Sequence, residues 1–322
     1  MGAFVIRRTL WLLAVLFAIT VLVFLIFFTI PGVDPARQMA GKNPAPETIA
    51  QIRHEFGLDR PLPVRYGLLM KHMLIERDLI SYSNHVKVIP QIVDATPVTF
   101  SLVFGAAVIW VIASILTGVA AAVLRGTVFD PLLMVLALIG ISVPVFWLGE
   151  VANLLTQSRL HDTFVFQWVP PLGYTPLTED PVLWFEHLII PWLTLSVLYV
   201  GFYARVLRAN LIEVESEDYV RTARAKGISE RRVLLRHTLR TSLITFVSLF
   251  GLDFGVLVGG GALLAEVVFG LPGVGLLTYQ SLQALDLPVI MATVMYAAFF
   301  VVVANAVVDL VYGLLDPRVR LA

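Results

Sequence analysis

Six long apolar segments recur along the chain, and they constrain its fold more than any other feature. They cover residues 10–30, 97–124, 131–156, 187–206, 241–268 and 289–315. About 20 apolar residues cross the hydrocarbon core of a bilayer, where only helices or closed barrels satisfy every backbone polar group. Charged residues make up 14% of the chain, against about a quarter in soluble domains. The sequence therefore predicts an all-α membrane protein with six transmembrane helices.

The polar segments between the spans divide the chain into three parts. We predict a first transmembrane helix within residues 1–30, a small extracellular domain over residues 31–96, and a five-span core over residues 97–322. In the second part, proline positions and apolar spacing predict two amphipathic helices, over residues 46–56 and residues 63–76.

Basic residues in the short loops indicate the orientation. Arg7 and Arg8 precede the first span, which is longer than the core of about 7–15 residues in a cleaved signal peptide, so we expect it to be retained. Nine basic residues against five acidic ones fall within residues 205–240, whereas the 158–186 loop contains only one base, Arg159. Because Lys and Arg accumulate in cytoplasmic loops, we predict a multi-pass cell-membrane protein with both termini in the cytoplasm.

The most polar run of the chain lies between the fourth and fifth spans, within residues 206–240. Capping signals predict two short helices there: Asp218 suits the first N-cap, Gly227 a left-handed C-terminal position, and Ser229 the second N-cap. Basic residues toward the end of the first helix suit its dipole, and they are Arg221, Arg224 and Lys226. Such a capped helix at the cytoplasmic face offers a rigid element for a soluble partner to bind.

The same run resembles the EAA loop of ABC-transporter permeases, the element that docks into the ATP-hydrolysing subunits. Gly227 holds the glycine of that motif, Ala223 its second alanine and Leu239 its downstream leucine, whereas Arg221 and His237 replace other motif residues. The resemblance assigns coupling to the ATPase to nine residues: Asp218, Tyr219, Arg221, Ala223, Arg224, Lys226, Gly227, Arg231 and His237.

Four further segments resemble the dipeptide and oligopeptide branch of these permeases. They are the runs Glu55–Pro63, Ser142–Gly149, Glu266–Gly275 and Leu314–Arg318. The resemblance implies a permease subunit of an ATP-driven importer of peptides, with nickel chelates or glutathione as alternative substrates. It also implies a second homologous permease, two ATP-binding subunits and an extracellular substrate-binding protein, assembled in the lipid bilayer.

Glu150 is one candidate for the substrate path. It shares a helical face with Asn153 and Gln157, at spacings i, i+3 and i+7. Because a carboxylate that faces lipid is costly, this face should contact protein or water. A polar end of the third span at the membrane interface would produce the same pattern, so two interpretations are open.

Asp253 is the second path candidate, near the middle of the fifth span. At about 100° per residue it lies about 160° from the strip formed by Gly251, Gly255 and Gly259. Small residues at this spacing let two helices approach closely, so Asp253 should face another helix or a cavity. A path-lining role and a structural hydrogen bond fit the pattern equally well. The adjacent glycines 259–261 predict a hinge.

Several kinds of site are missing from the sequence. There is no cysteine, no G-x-x-x-x-G-K-[ST] phosphate loop and no metal-ligand spacing among the six histidines. We therefore expect no catalytic residue, metal or cofactor in this chain, with ATP and Mg bound by the ATPase subunits. Lys and Arg balance Asp and Glu at 23 each, which gives no signal for nucleic acid.

An ion-coupled secondary transporter is the alternative function. Such a protein needs intramembrane carboxylates for its coupling ion, and Asp253 and Glu150 would serve. It would not need the capped pair of cytoplasmic helices, which favours the ATP-driven importer.

Overall fold

Helices make up most of the part of the chain that the structure describes, which confirms the predicted all-α class. Residues 30–35, at the start of the predicted extracellular domain, and residues 316–322, at the end of the predicted core, lie outside that part. The computed structural model describes residues 2–29, 36–37, 40, 44–55 and 57–315.

Twelve helices are distinguished in these ranges, and π-helical turns extend two of them, α3 to Glu76 and α6 to Arg159. In chain order the helices are α1 (Gly2–Thr29), α2 (Pro46–Glu55), α3 (Leu62–Met70), α4 (Val88–Val123), α5 (Phe129–Ser142), α6 (Val145–Leu154), α7 (Pro181–Glu215), α8 (Asp218–Ala225), α9 (Glu230–Gly261), α10 (Leu263–Phe269), α11 (Val274–Ala284) and α12 (Leu287–Leu315).

Five of these helices, α1, α4, α7, α9 and α12, are long and apolar enough to cross a membrane. Two helix pairs meet the same criteria only together and are sharply bent, α5–α6 by 93° and α10–α11 by 86°. The fold therefore provides five spans, or up to seven if each bent pair counts as one, and the predicted count of six lies in this range.

The α5–α6 bend corrects the straight third span predicted over residues 131–156. Val143 adopts an extended backbone, with φ −85° and ψ 123°, and Pro144 precedes the first residue of α6. This is the expected effect of a proline, which disfavours helical geometry at the residue before it. Because α6 is turned by 93° from α5, the position of Glu150 in the sequence does not determine its depth in a membrane.

Two spans begin earlier than predicted because their internal prolines do not interrupt them. α4 begins at Val88 and contains Pro97, and α7 begins at Pro181 and contains Pro191. Membrane helices tolerate proline where neighbouring groups satisfy the freed backbone carbonyl. As a result, α4 runs without interruption through residue 96, the end proposed for the extracellular domain.

The segment predicted as a loop before the sixth span contains α11, and a buried carboxylate holds its first turn. Glu266 is fully buried and accepts hydrogen bonds from Thr99 Oγ1 at 2.7 Å and from the Leu276 backbone N–H at 2.9 Å. Thr99 Oγ1 in turn accepts one from the Val274 N–H at 2.9 Å. The carboxylate thus satisfies free N–H groups at the positive end of α11. A Cβ atom at Gly273 would lie 2.4 Å from it.

A second buried carboxylate joins the residues before α4 to those before α12. Asp286 accepts hydrogen bonds from the hydroxyl groups of Ser81 and Ser83 and from the backbone N–H of Tyr82. In the same region Met73 packs in an apolar cluster with side chains of α1 and α12. Met73 and residues 81–83 are therefore fastened to the helical core.

The largest apolar core lies between α4 and α7 and extends to α9. Trp110 of α4 stacks on Tyr199 of α7 with ring centroids 4.5 Å apart, and Tyr203 contacts Phe246 of α9 at 4.8 Å. This core holds in place α7, the helix that precedes the polar run.

The predicted amphipathic helices and the predicted hinge are present. α2 ends at Glu55, and the next residue of the predicted helix, Phe56, lies outside the described residues. α3 with its π-helical turn covers 62–76. Gly260 has φ +118° at the end of α9, where the helix direction changes before α10. The left-handed φ at this position favours glycine.

Candidate coupling and translocation sites

The polar run between α7 and the membrane part of α9 folds into a helical hairpin with its own small core. Val220 and Ala223 of α8 and Val233 of α9 are buried, at 0%, 6% and 1% exposure. Val214 and Ile228 pack against these three side chains. Ala223, which the motif resemblance places in the coupling set, therefore faces the interior of the hairpin.

The turn between α8 and α9 follows the predicted pattern at its end but not at its start. Gly227 has φ +74°, and the N–H groups of Gly227 and Ile228 bond to the carbonyls of Arg224 and Ala223, as in a glycine-terminated helix. The prediction that Asp218 is the N-cap is wrong. Glu217 occupies the N-cap position, and Asp218 is the first residue of α8. Ser229 occupies the second N-cap without a side-chain bond.

An ion pair closes the hairpin on its exposed side. The Arg224 guanidinium donates to both carboxylate oxygens of Glu230, with N–O distances of 3.0 to 3.2 Å. This hydrogen bonding raises the pKa of Arg224 above its ordinary value. Tyr219 Oη donates to Thr241 Oγ1 at 3.2 Å and so ties α8 to the membrane part of α9.

Most of the residues predicted to couple to an ATPase are exposed. Ala223 is the buried exception, and His237 is half-buried in the π-helical turn of α9. The exposed members are Asp218, Tyr219, Arg221, Arg224, Lys226, Gly227 and Arg231. Within residues 217–232 five exposed basic residues stand against three exposed acidic ones, so the exposed side of the hairpin carries net positive charge.

The helix that leads into the hairpin, α7, is joined to α5 by a charge pair that sequence analysis missed. Arg208 of α7 donates through Nε and Nη2 to both carboxylate oxygens of Asp130 of α5, each at 2.6 Å. Bidentate pairs of this kind are strong and directional. The two residues are 78 positions apart, and no local pattern links them.

Asp253 lies on the side of α9 opposite the glycine strip, as predicted. A Cβ atom at Gly251 would lie 2.2 Å from Val308 Cγ2, and one at Gly255 would lie 2.1 Å from Ala304 Cβ, so the strip packs against α12 as predicted. On the other side of α9, Asp253 Oδ2 accepts a hydrogen bond from Tyr203 Oη of α7 at 2.6 Å. The structural bond that we considered for Asp253 is therefore present, and the carboxylate is half-buried.

The polar face of α6 contacts protein through two of its three members. Asn153 donates to the backbone carbonyl of Val268 at 2.9 Å, which joins α6 to α10, and Gln157 donates to that of Pro170 at 2.8 Å. Glu150 is exposed and has no polar partner among the residues described. Asn153 thus acts as a structural bridge, and Glu150 is the only member of this face whose polar group is free.

A cavity of about 420 Å³ lies between α9 and α12. Its walls are apolar and include Phe250, Phe254 and Phe300. Asp253, Glu150 and Asn153 do not line it, so within the described part of this chain the three predicted path residues are not gathered around one cavity.

A cluster of possible metal ligands, which the search for ligand spacing missed, lies at the end of α3. The ligand atoms of His72, Glu76 and Asp78 lie within 4.8 Å of one another. His72 Nδ1 is 2.9 Å from Glu76 and 2.8 Å from Asp78, and Lys71 Nζ is 2.6 Å from Glu76. The hydrogen bond with His72 lowers the pKa of the Asp78 carboxyl. Lys71 thus forms an ion pair with Glu76, and His72 lies between the carboxylates of Glu76 and Asp78.

The whole chain is similar to known transport proteins. The family model for the binding-protein-dependent transport system inner membrane component matches residues 114–321, and the N-terminal model of the same kind of membrane component matches residues 1–103. A putative peptide transport system permease protein of Brucella abortus is 39% identical over 321 residues, or 99% of both chains.

Two other relatives extend the range of names. A probable peptide ABC transporter permease protein of Sinorhizobium fredii is 35% identical over 320 residues, which cover 99% of this chain and 100% of that one. A glutathione transport system permease protein of Salmonella paratyphi A is 36% identical over 326 residues, or 98% of both chains. The chain therefore belongs to the family of binding-protein-dependent transport system inner membrane components, and it is a multi-pass permease subunit of an ABC importer.

Proposed function

We propose that this permease carries peptides into the cell and that the α8–α9 hairpin couples its spans to ATP hydrolysis by partner subunits. The hairpin itself is the observation that supports the coupling role. It has its own small apolar core, a turn closed by an ion pair and a cationic exposed face. Peptide relatives at 39% and 35% identity support the substrate class. The glutathione relative supports glutathione, itself a tripeptide, as the alternative substrate. The resemblance adds nickel chelates as a third candidate.

The contacts of the hairpin suit it to transmit a movement of the ATPase to the membrane helices. Its core of Val220, Ala223 and Val233 fixes α8 against the start of α9, and Tyr219 adds a bond to Thr241. The pair of Arg208 and Asp130 joins the preceding helix α7 to α5. A movement of α8 imposed by an ATPase would therefore reach α9, α7 and α5 together.

The family of the chain and its hairpin support a proposal about the partners. We propose a second homologous permease, two subunits that bind ATP and Mg, and an extracellular substrate-binding protein. An ATPase surface of complementary charge would bind the cationic hairpin face, and mutual steering would speed assembly. The same hairpin argues against an ion-coupled secondary transporter, which has no use for a rigid cytoplasmic docking element.

For the membrane arrangement, we propose six crossings with both termini in the cytoplasm. α1, α4, α7, α9 and α12 supply five, and the bent pair α5–α6 supplies the sixth. The other bent pair, α10–α11, then returns to the outer side, where Glu266 holds α11 against α4. In this arrangement residues 31–96 form the extracellular domain and residues 206–240 carry the cytoplasmic hairpin.

Isolation of the chain from its native membrane tests the coupling role. We expect a tagged chain to copurify with a protein that contains a Walker motif, and ATP hydrolysis by the isolated assembly to rise when a loaded substrate-binding protein is added. A chain that transports peptide in proteoliposomes without any ATPase subunit would contradict the proposal and support ion coupling.

Single cysteines test the orientation in this naturally cysteine-free chain. Gln51 of α2 and Ser229 of the hairpin are both exposed. We expect Gln51→Cys to react with a membrane-impermeant maleimide in intact cells, and Ser229→Cys to react only after permeabilisation. Because the two variants differ only in predicted side, each serves as the control of the other. The reverse pattern would invert the topology.

A further inference from the structure

A groove of about 570 Å³ runs along the contact between α5 and α7, outside the coupling and path sites. The two helices approach each other closely, since a Cβ atom at Gly201 of α7 would lie 2.3 Å from the Ala137 carbonyl oxygen of α5. The walls of the groove are almost entirely apolar, and the apolar lining residues are Met134, Ile141, Phe202, Val206 and Ala209. The groove therefore fits a hydrocarbon chain.

One end of the groove is cationic. Arg205 and Arg208 of α7 line it, and they differ in their partners. The charge of Arg208 is neutralised by the bidentate bond to Asp130. Arg205 is exposed and makes no hydrogen bond or ion pair with any residue in the described part of the chain. Among the residues that line this apolar groove, Arg205 is thus the one whose charge is not neutralised by a described partner.

The position of Arg205 along α7 suits the edge of the membrane. α7 has 35 residues, or about 52 Å at about 1.5 Å per residue, which exceeds a hydrocarbon core of about 30 Å. The apolar run of this helix ends at residue 206, so Arg205 lies where hydrocarbon gives way to headgroups. A guanidinium at that depth interacts most favourably with an anionic phosphate, which it binds through two donors.

We propose that this groove binds an anionic phospholipid. The phosphodiester of the lipid accepts hydrogen bonds from Arg205, and one acyl chain lies along the groove from Met134 toward Ile141. Charge complementarity selects an anionic headgroup over a zwitterionic one, because the ammonium group of a zwitterionic lipid would be repelled by Arg205. The bound lipid would cover the contact between α7 and α5. α7 is the helix that leads into the coupling hairpin.

Native mass spectrometry of the chain, isolated in detergent with the subunits that copurify with it, tests the proposal. We expect added phosphatidylglycerol to be retained in preference to phosphatidylcholine. Arg205→Gln should lower the retained phosphatidylglycerol about fivefold, the effect of one basic residue on anionic lipid binding, and Arg205→Lys should restore most of it. Arg159→Gln, which removes another exposed arginine away from the groove, is the matched control and should change nothing.

A second variant separates the acyl chain from the phosphate. Met134→Trp fills the groove where the acyl chain would lie without changing any charge and should lower lipid retention as Arg205→Gln does, whereas inorganic phosphate should not compete with the lipid. Equal retention of both lipids, or full retention by Arg205→Gln, would overturn the proposal. Loss of a copurifying subunit in Arg205→Gln would overturn it too, because the groove would then be a protein interface.

Discussion

Ala223→Glu is expected to abolish ATP-driven uptake while leaving the chain inserted in the membrane. Ala223 is 6% exposed and packs against Val220 and Val233, the other two members of the hairpin core. A carboxylate placed there has no cationic partner within that core, and an unpaired buried charge costs several kcal/mol. The hairpin core is too small to offset that cost, so α8 should detach from α9. We expect transport to fall on the order of 100-fold or more.

Ala225→Glu is the matched control for this prediction. Ala225 is in the same helix but exposed, so the same substitution there adds a carboxylate without disturbing the core. Limited proteolysis of membrane vesicles should cut residues 217–232 rapidly in Ala223→Glu and slowly in Ala225→Glu. Uptake and stimulated ATP hydrolysis, measured with equal amounts of inserted chain, complete the comparison. Normal coupling in Ala223→Glu would show that the hairpin is not the coupling element.

Asp253→Asn is expected to lower uptake about tenfold with assembly preserved, if the carboxylate acts in the path through its charge. The amide oxygen of asparagine can still accept the hydrogen bond that Tyr203 donates to Asp253 at 2.6 Å, so the main change is loss of the negative charge. That charge would attract the ammonium end of a peptide, and about 1.4 kcal/mol of lost attraction corresponds to a tenfold change.

Tyr203→Phe removes the same hydrogen bond but keeps the charge, and it therefore separates the two roles of Asp253. A path role predicts that uptake per assembled complex falls in Asp253→Asn and changes little in Tyr203→Phe. A purely structural role predicts that the amount of assembled complex falls in Tyr203→Phe, while uptake per complex is unchanged in both variants. The second pattern would remove Asp253 from the path.

Local sequence patterns predicted the features that depend on residues close together in the chain. A span needs only a run of apolar residues, because a helix satisfies its own backbone in lipid. Gly227 predicted a helix end, and Gly260 belongs to the run that predicted a hinge. Both residues have a positive φ in the structure, which glycine adopts without strain. The strip from Gly251 to Gly259 predicted a helix contact because one residue type alone sets how closely two backbones approach.

The same patterns failed where a neighbouring helix decides the outcome. Pro97 and Pro191 lie inside α4 and α7, whereas Pro144 follows a sharp break, although all three are prolines in apolar runs. The predicted loop after Gly270 contains α11, because the carboxylate that holds its first turn comes from the preceding helix and is itself held by α4.

By itself, then, the sequence determined the all-α membrane class, the polar run that forms the hairpin and the resemblance to ABC permeases, since each rests on contiguous residues. The tertiary structure alone decided that Ala223 faces inward, because helical periodicity defines a face but not what covers it. It also decided the long-range polar pairs: Glu266 with Thr99, Asp286 with Ser81, and Asp130 with Arg208. The physical reason is that a buried charge is stable only beside its partner. The partners are 78 to 205 residues apart in the chain, and only the packing of the helices brings them together.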